Sequence, residues 1–256
     1  MSEINAKMAA ARDEITSLLE QINSGKLKTA DKTNPASEFG PSKLASYIDH
    51  TSLAASATTD QIKKLCHEAI EYQFYAVCVN SVNIGLCKSE LAGGKVKICT
   101  VVGFPLGAVP TKVKVCETKM AEKEGANEID MVINIGALKD NNFELVFADI
   151  YEVVNSASKN LIKKVIIENC YLNPDEKIKA IVFAKHAGAD FVKTSTGFGP
   201  SGATIEDVEL MRYIIGPNLG VKAAGGIRDR ATAVALINAG ASRIGASASV
   251  NIVKGL

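Results

Sequence analysis

The stretch DFVKTSTGFGPSGATIEDVELMRYIIGPNLGVKAAGG, residues 190–226, contains a strand, a helix and a second strand. The first apolar run carries Lys193 and breaks into a loop of small residues, and the second carries Lys222 and ends at a double glycine. The helical segment between them, residues 204–215, predicts that the two strands are parallel. Lysine is among the residues least often fully buried, so lysines in two successive buried strands indicate a function.

The same alternation of apolar runs and helical segments extends in both directions from this unit. Strands are predicted at residues 44–53, 75–80, 96–105, 127–136, 163–169, 190–196, 219–226 and 242–247. Helices are predicted at residues 58–73, 81–92, 110–124, 142–158, 173–186, 204–215, 229–239 and 248–254. Eight strand–helix units predict the α/β class and a (β/α)8 TIM barrel. The alternative is an open doubly wound sheet, which usually has a glycine-rich fingerprint after its first strand; DHTS (49–52) is not one.

The first forty residues do not follow this pattern. Residues 2–24 have the apolar spacing of an amphipathic helix, and residues 25–41 are polar with turn signals at Asn34-Pro35 and Gly40-Pro41. We therefore expect an N-terminal helical extension and linker at 1–41 and a catalytic barrel domain at 42–256. An alternative is that the helix binds a partner.

Composition excludes several classes of function. Hydrophobic residues make up 47% of the 256, and the net charge of +1 gives no reason to expect a nucleic-acid partner. The six cysteines form no CxxC pair and several lie in apolar runs, which indicates reduced thiols. The N-terminal residues lack an apolar signal segment, and no stretch is apolar enough to span a bilayer. We expect a cytoplasmic protein with no membrane partner.

The chemistry is expected where the strands of a barrel end, because the active face lies there. Burial and a neighbouring like charge both favour a neutral lysine amine, and a neutral amine can form a Schiff base with a carbonyl. Lys193 and Lys222 are therefore predicted to be catalytic, as in a class I aldolase. Asp130, inside another buried strand, is predicted to relay protons. The alternatives are that the lysines point outward and that Asp130 forms a purely structural ion pair.

Other polar residues at the strand ends include Thr100 and Glu168. We predict that Asp49, Cys78 and Thr196 surround the catalytic groups, with Asp49 either in the site or orienting Lys222. Cys78 is expected to be core or pocket wall rather than a nucleophile.

The last three loops of the barrel are short and rich in glycine, and the backbone amides of such loops bind phosphate. The residues chosen as the substrate and phosphate site are Gly197, Gly225, Gly226 and Ser247. The alternative is that these glycines serve only tight turns.

Metal and nucleotide chemistry fit poorly. The three histidines, His50, His67 and His186, are dispersed, and no mixed Cys/His spacing predicts a metal site. We find no GxSxG and no P-loop motif. No metal ligand is predicted.

Three motifs closely resemble the deoxyribose-phosphate aldolase family: DFVKTSTGFG around Lys193, GVKAAGGIR around Lys222, and NEIDMVINIG around Asp130. The segments IDHTSL (48–53), YAVCVN (75–80) and IIENC (166–170) agree with them. The resemblance covers about residues 44–250.

This resemblance implies a (β/α)8 barrel without a metal or organic cofactor. It implies reversible cleavage of 2-deoxy-D-ribose 5-phosphate to D-glyceraldehyde 3-phosphate and acetaldehyde. Lys193 would form the Schiff base, while Asp130 and Lys222 would handle protons and tune the amine. Phe198 stands where some members have a lysine, so phosphate binding would depend more on backbone amides. The chain ends without the tyrosine that some members use, so a proton relay through such a residue is not expected.

Two other functions remain open on the sequence. One is a different Schiff-base sugar-phosphate aldolase or a transaldolase. The other is a non-catalytic barrel that binds sugar phosphates through its lysines. In each case the partner is a small sugar phosphate, and a homo-oligomer is expected, with a dimer favoured.

Overall fold

The computed structural model describes residues 2–24 and 40–256, and within them eight parallel strands close into a barrel in sequence order. The strands are β1 Ile48–Ser52, β2 Ala76–Val79, β3 Lys97–Val102, β4 Glu128–Val132, β5 Ile162–Ile166, β6 Phe191–Lys193, β7 Gly220–Ala224 and β8 Arg243–Ala246. The closing pair is β1 with β8, where Asp49 lies opposite Gly245. The predicted (β/α)8 barrel is confirmed, and the open-sheet alternative is wrong.

Helices surround the barrel. They are α1 Glu3–Asn23, α2 Pro41–Ala45, α3 Thr59–Glu71, α4 Ile84–Glu90, α5 Thr111–Glu124, α6 Ile135–Lys139, α7 Phe143–Ser156, α8 Pro174–Ala187, α9 Ile205–Ile215, α10 Arg230–Asn238 and α11 Ser249–Lys254. Short 3-10 turns lie at Ser81–Asn83 and Asn169–Tyr171.

Several predicted strand boundaries are wrong, among them the start of the first strand and the ends of the third to sixth strands. The first strand begins at Ile48 rather than residue 44, because Pro41 opens the short helix α2 and its Leu44 and Ala45 are buried. The fifth strand ends at Ile166, since the backbone at Glu168 turns into the left-handed region with φ +53°.

Alternate residues of each strand face two different buried regions, one between the strands and the helices and one inside the barrel. Residues facing outward on the strands, such as Ile129 and Val192, pack beneath the helices in the main apolar core. Inside the barrel, a small apolar cluster fills the side formed by β2 and β3; it consists of Leu53, Ala76, Cys78, Cys99 and Val101. The opposite side of the barrel interior is occupied by charged side chains.

The N-terminal helix α1 lies outside the barrel against α7 and α8. Its Ala11, Ile15 and Leu18 are buried, and Glu14 binds Lys185 and His186 at 2.7 Å each. The predicted linker falls almost entirely on residues 25–39, which lie outside the described residues. The division at residue 41 therefore stays a prediction.

Within the described residues, no helix combines the length and apolar character needed to cross a membrane. All six cysteines are free thiols, four of them buried.

Candidate active site

The structure brings both predicted lysines onto one carboxylate. Lys193 on β6 and Lys222 on β7 are register partners and both point into the barrel. Their Nζ atoms donate to the same oxygen, Oδ2 of Asp130 on β4, at 2.7 and 2.8 Å. The three residues chosen from sequence thus meet in one buried cluster.

Asp49, the second residue of β1, holds Lys222 from the other side. Its Oδ2 accepts a hydrogen bond from Lys222 Nζ at 2.5 Å, and its Oδ1 accepts one from Arg243 at 2.7 Å. Lys222 is therefore fixed between two carboxylates, while Arg243 lies with its guanidinium 3.5 Å from the ring centre of Tyr75.

Sequence reasoning missed three charged residues and one cysteine of this cluster. Lys164 on β5 donates to Asp130 Oδ1 at 3.0 Å and lies 2.5 Å from Glu128, which in turn binds Arg243 at 3.0 Å. Cys99 also donates to Asp130 Oδ1, at 3.2 Å. For Glu128 the available signal was strand alternation, because it lies two residues before Asp130, which the sequence already predicts to face inward.

These contacts determine the charge states. Burial by itself raises the pKa of Asp130, but Lys164, Lys193 and Lys222 outweigh it and hold that pKa well below its usual range. Burial likewise raises the pKa of Asp49, yet Lys222 and Arg243 lower it to about 2. For Lys222, burial lowers the pKa, but Asp130 and Asp49 together raise it well above the ordinary value.

The expectation that burial and like charge would favour a neutral amine is therefore wrong for Lys222. Two carboxylates contact this lysine, and opposite charges at hydrogen-bond distance favour the protonated form more than burial disfavours it. Asp49, for which one predicted role is to orient Lys222, pairs directly with its ammonium group.

A cavity of about 440 Å³ opens at the ends of β1, β6, β7 and β8, and Lys193 lies at its inner wall. Lys193 is 2% exposed, whereas Asp130 and Lys222 do not line the cavity. Only one of the two predicted lysines is thus placed where a bound molecule reaches it.

All four residues chosen for substrate and phosphate binding line this cavity: Gly197, Gly225, Gly226 and Ser247. Arg228, which the sequence analysis missed, lines it too and is exposed. Phe198 forms part of the rim, edge-on to Phe104 with ring centres 5.3 Å apart.

Thr196 and Cys78 are also predicted to surround the catalytic groups, and only Thr196 reaches the cavity. Thr196 lines the cavity and its backbone N–H and hydroxyl bind Glu168. Cys78 is buried beside Cys99, its register partner on β3, and does not line the cavity.

Two groups in the described residues have donor atoms within 4.8 Å of one another and could in principle hold a metal ion. They are Cys78, Cys99 and Asp130, and Asp49, Cys99 and Glu128. Every carboxylate in both groups already pairs with a lysine or arginine. A metal ion would therefore have to displace an ammonium or guanidinium group, and the residues do not fit a metal site.

A second cavity, of about 560 Å³, lies at the opposite end of the barrel, where β1–β3 begin. Its lining includes Phe74, Tyr75 and Val96 and none of the catalytic cluster.

Comparisons with known proteins agree on one family. The family model described as DeoC/LacD family aldolase matches residues 43–255. The deoxyribose-phosphate aldolase of Thermococcus gammatolerans is 60% identical over 215 residues, covering 83% of this chain and 96% of that protein. The one from Clostridium perfringens strain SM101 is 55% identical over 213 residues, covering 83% and 95%.

Solved structures give the same result. A crystal structure from Coccidioides immitis, assigned to deoxyribose-phosphate aldolase, superposes with a TM-score of 0.86 and 41% identity, covering 95% of this chain and 96% of that one. The deoxyribose phosphate aldolase of Aeropyrum pernix, described as a tetramer, gives a TM-score of 0.76 and 33% identity, covering 84% and 91%.

Proposed function

Because the chain belongs to the DeoC/LacD family of aldolases, we propose that it cleaves 2-deoxy-D-ribose 5-phosphate reversibly to D-glyceraldehyde 3-phosphate and acetaldehyde, with Lys193 as the nucleophile. The observation that carries this proposal is the position of Lys193: it lines the cavity and shares the oxygen of Asp130 with Lys222.

Ion pairing separates the roles of the lysines. Lys222 contacts Asp49 and Asp130, and Lys164 contacts Glu128 and Asp130. Among the described residues, Lys193 pairs with Asp130 alone. The least restrained amine is thus the one that faces the cavity, which supports its assignment as nucleophile.

The charge of the cluster supports the same assignment. Four cations (Lys164, Lys193, Lys222 and Arg243) meet three carboxylates (Asp49, Glu128 and Asp130), which leaves an excess of one positive charge. Loss of one proton from Lys193 balances the cluster and takes a cation from Asp130 alone, whereas loss from Lys222 would take a cation from both Asp49 and Asp130.

In the reaction we infer, the neutral amine of Lys193 attacks the aldehyde carbon C1 of the open-chain sugar, and water leaves to give a protonated imine. The C2–C3 bond then breaks, its electron pair moves toward the imine, and the C3 hydroxyl loses its proton, which releases D-glyceraldehyde 3-phosphate. The resulting enamine takes a proton at C2, and hydrolysis releases acetaldehyde and restores the amine. Asp130 and Lys222 carry these protons.

We propose that the phosphate lies at the outer part of the cavity, against Gly197, Gly225, Gly226 and Ser247. Arg228 is the nearby charge that attracts a phosphate dianion. The left-handed backbone at Gly225, with φ +87°, is one that a residue with a side chain rarely adopts, so glycine lets the chain approach the ligand there.

The wider assignments are also proposals. We infer that the protein works in the cytoplasm without a metal or organic cofactor, because the imine itself serves as the electron sink. A homo-oligomer, with a dimer favoured, is proposed, and the description of the Aeropyrum pernix relative as a tetramer supports self-association.

Trapping the covalent intermediate tests the proposal. Incubation with acetaldehyde and sodium borohydride should reduce the imine and add about 28 Da, the mass of C2H4, to one peptide, the one containing Lys193. Intact-protein and peptide mass spectrometry measure the addition.

Lys193→Met should abolish the adduct. In Lys222→Met the adduct should still form on Lys193, but more slowly. Lys163→Met is the matched control, because Lys163 neighbours Lys164 in sequence but pairs with Asp190 at 3.2 Å and belongs to neither the cavity nor the cluster. A non-catalytic binder would give no adduct, and turnover of a ketose phosphate in place of deoxyribose 5-phosphate would indicate a different aldolase.

A further inference from the structure

Glu168 lies just beyond β5 and has an unusual backbone and an unusual side-chain position. Its φ is +53°, in the left-handed region that side chains other than those of Asn and Asp seldom occupy. Its side chain is a carboxylate only 2% exposed. Such a conformation costs energy and persists only where the surroundings require it, so the placement of this carboxylate needs a reason.

The contacts of Glu168 are with the loop that follows Lys193. Its carboxylate accepts hydrogen bonds from the backbone N–H of Thr196, at 3.2 and 3.3 Å to its two oxygens, and from the Thr196 hydroxyl. The same hydroxyl oxygen accepts the N–H of Phe198 at 3.0 Å. Next to it, the N–H of Asn169 donates to the carbonyl of Thr194 at 2.9 Å. The carboxylate thus holds Thr196 directly and Phe198 through the Thr196 hydroxyl.

The far side of this loop is the cavity wall. Thr196, Gly197 and Phe198 line the cavity, whereas Glu168 does not. In the described part of the chain, Glu168 forms no ion pair with a lysine, arginine or histidine. A buried charge without a cation is stabilised only by its hydrogen-bond donors, and here those donors come from the loop and from Cys170, whose Sγ is 3.6 Å away.

We propose that Glu168 is a positioning residue for the phosphate end of the substrate. It draws the N–H of Thr196 and, through the Thr196 hydroxyl, the N–H of Phe198 toward itself, and this sets the direction in which the backbone at Gly197 faces the cavity. Glu168 does not touch the substrate or the reacting carbon. The inference rests on the proposed function, since it assigns the loop to the phosphate of that substrate.

The test compares a substrate that has the phosphate with one that lacks it. Glu168→Gln keeps the size of the side chain but places an NH₂ group against the Thr196 donors. We expect KM for 2-deoxy-D-ribose 5-phosphate to rise about tenfold or more, the order that the loss of a charged hydrogen bond produces. The kcat/KM for unphosphorylated 2-deoxy-D-ribose should change by less than about threefold, because Lys193 is not displaced.

Glu176→Gln is the matched control. Glu176 is also a hydrogen-bonded carboxylate, in the capping box of α8, and belongs to no part of the cavity. It should leave the ratio between the two substrates at the wild-type value. Glu168→Asp keeps the charge and suits a left-handed backbone, so it should fold and show the same selectivity with a smaller rise in KM.

Three results would overturn the inference. Equal losses of kcat/KM on both substrates would show that Glu168 supports the whole site. No loss on either substrate would show that the loop at Thr196 keeps its conformation without Glu168. Absence of a borohydride-trapped adduct on Lys193 in the wild type would remove the aldolase proposal and this one with it. The second of these results, together with a normal adduct on Lys193 in the wild type, overturns this inference alone.

Discussion

Asp130 accepts hydrogen bonds from lysines on three consecutive strands. Lys164 binds one of its oxygens at 3.0 Å, and Lys193 and Lys222 bind the other at 2.7 and 2.8 Å. A single carboxylate therefore determines the relative positions of the nucleophile and its neighbouring ammonium group. Removal of one member of such a buried group is costly, because the remaining charges are left without a partner.

Acid stability provides a test of this cluster at Asp49. Its pKa is about 2 in the folded protein, against an ordinary value of 3.8. A depressed pKa means that the charged carboxylate stabilises the fold above about pH 4 and that the contribution disappears as the pH falls toward 2. The shift of nearly two units corresponds to ~2 kcal/mol.

Asp49→Asn lacks that contribution at every pH. Its Tm deficit relative to the wild type should therefore be largest near pH 7 and should shrink between pH 4 and pH 2, as followed by calorimetry. Asp60→Asn, at an exposed position on α3, should show no such trend. A deficit at Asp49 that stays constant over this range would contradict the assigned ion pairs.

At the scale of elements, the loops after β6 and β7 are locked together. The Thr194 hydroxyl accepts the N–H of Ala224 at 3.0 Å and donates to its carbonyl at 3.1 Å, and the N–H of Ala203 donates to the carbonyl of Gly225 at 3.1 Å. A Cβ at Gly202 would lie only 2.0 Å from that same carbonyl oxygen. The two loops approach each other this closely because glycine is at position 202.

Gly202→Ala should therefore separate the loops. We expect a loss of ~1–3 kcal/mol in stability, as for other overpacked positions, and a rise in KM for 2-deoxy-D-ribose 5-phosphate because Gly225 moves. Denaturant unfolding and steady-state kinetics measure the two effects. Gly85→Ala is the control, since a Cβ there has no atom within 4 Å and the residue lies in α4, so stability should hold or rise slightly. An unchanged KM in Gly202→Ala would show that phosphate binding does not depend on the contact between Gly202 and Gly225.

At the scale of the whole molecule, the N-terminal helix and the active site are on different parts of the surface. Helix α1 packs on α7 and α8 from outside, and none of its residues lines the active-site cavity. Burial raises the pKa of Glu14, but its hydrogen bonds to Lys185 and His186 outweigh this and leave that pKa lowered. The helix is thus held by apolar packing and by charged contacts, those of Glu14 with α8 and that of Arg12 with Glu144 on α7.

Ala11→Asp places a carboxylate in the fully buried face of α1 and should release the helix. Tm should fall by several degrees, consistent with the loss of a few kcal/mol in a domain of this size, while kcat stays unchanged. Ala10→Asp makes the same substitution on the exposed face and should behave as the wild type. Limited trypsin digestion at Lys7 and Arg12 reports the release directly. Equal protease resistance of the two variants would refute the packing, and a lower kcat in Ala11→Asp would connect the helix to the active site.

The part of the site that could be predicted consists of residues whose environment is local. Lys193, Lys222 and Asp130 are charged side chains inside apolar strands, and a buried charge can be recognised within a few residues of sequence. Lys164 could not be distinguished in this way from Lys163, since both belong to one dipeptide. One binds Asp130 inside the barrel and the other pairs with Asp190.

The amino-acid sequence by itself determined the barrel, because the alternation of apolar strands and helices is set by side-chain periodicity along the chain. It also identified Lys193, Lys222 and Asp130 as buried. Only the tertiary structure decided which charges meet: Arg243 with Asp49 and Glu128, and Glu168 with the loop of Thr196. The physical reason is that these partners come from different strands, and their distances depend on the register and tilt of a closed sheet, which no single strand specifies.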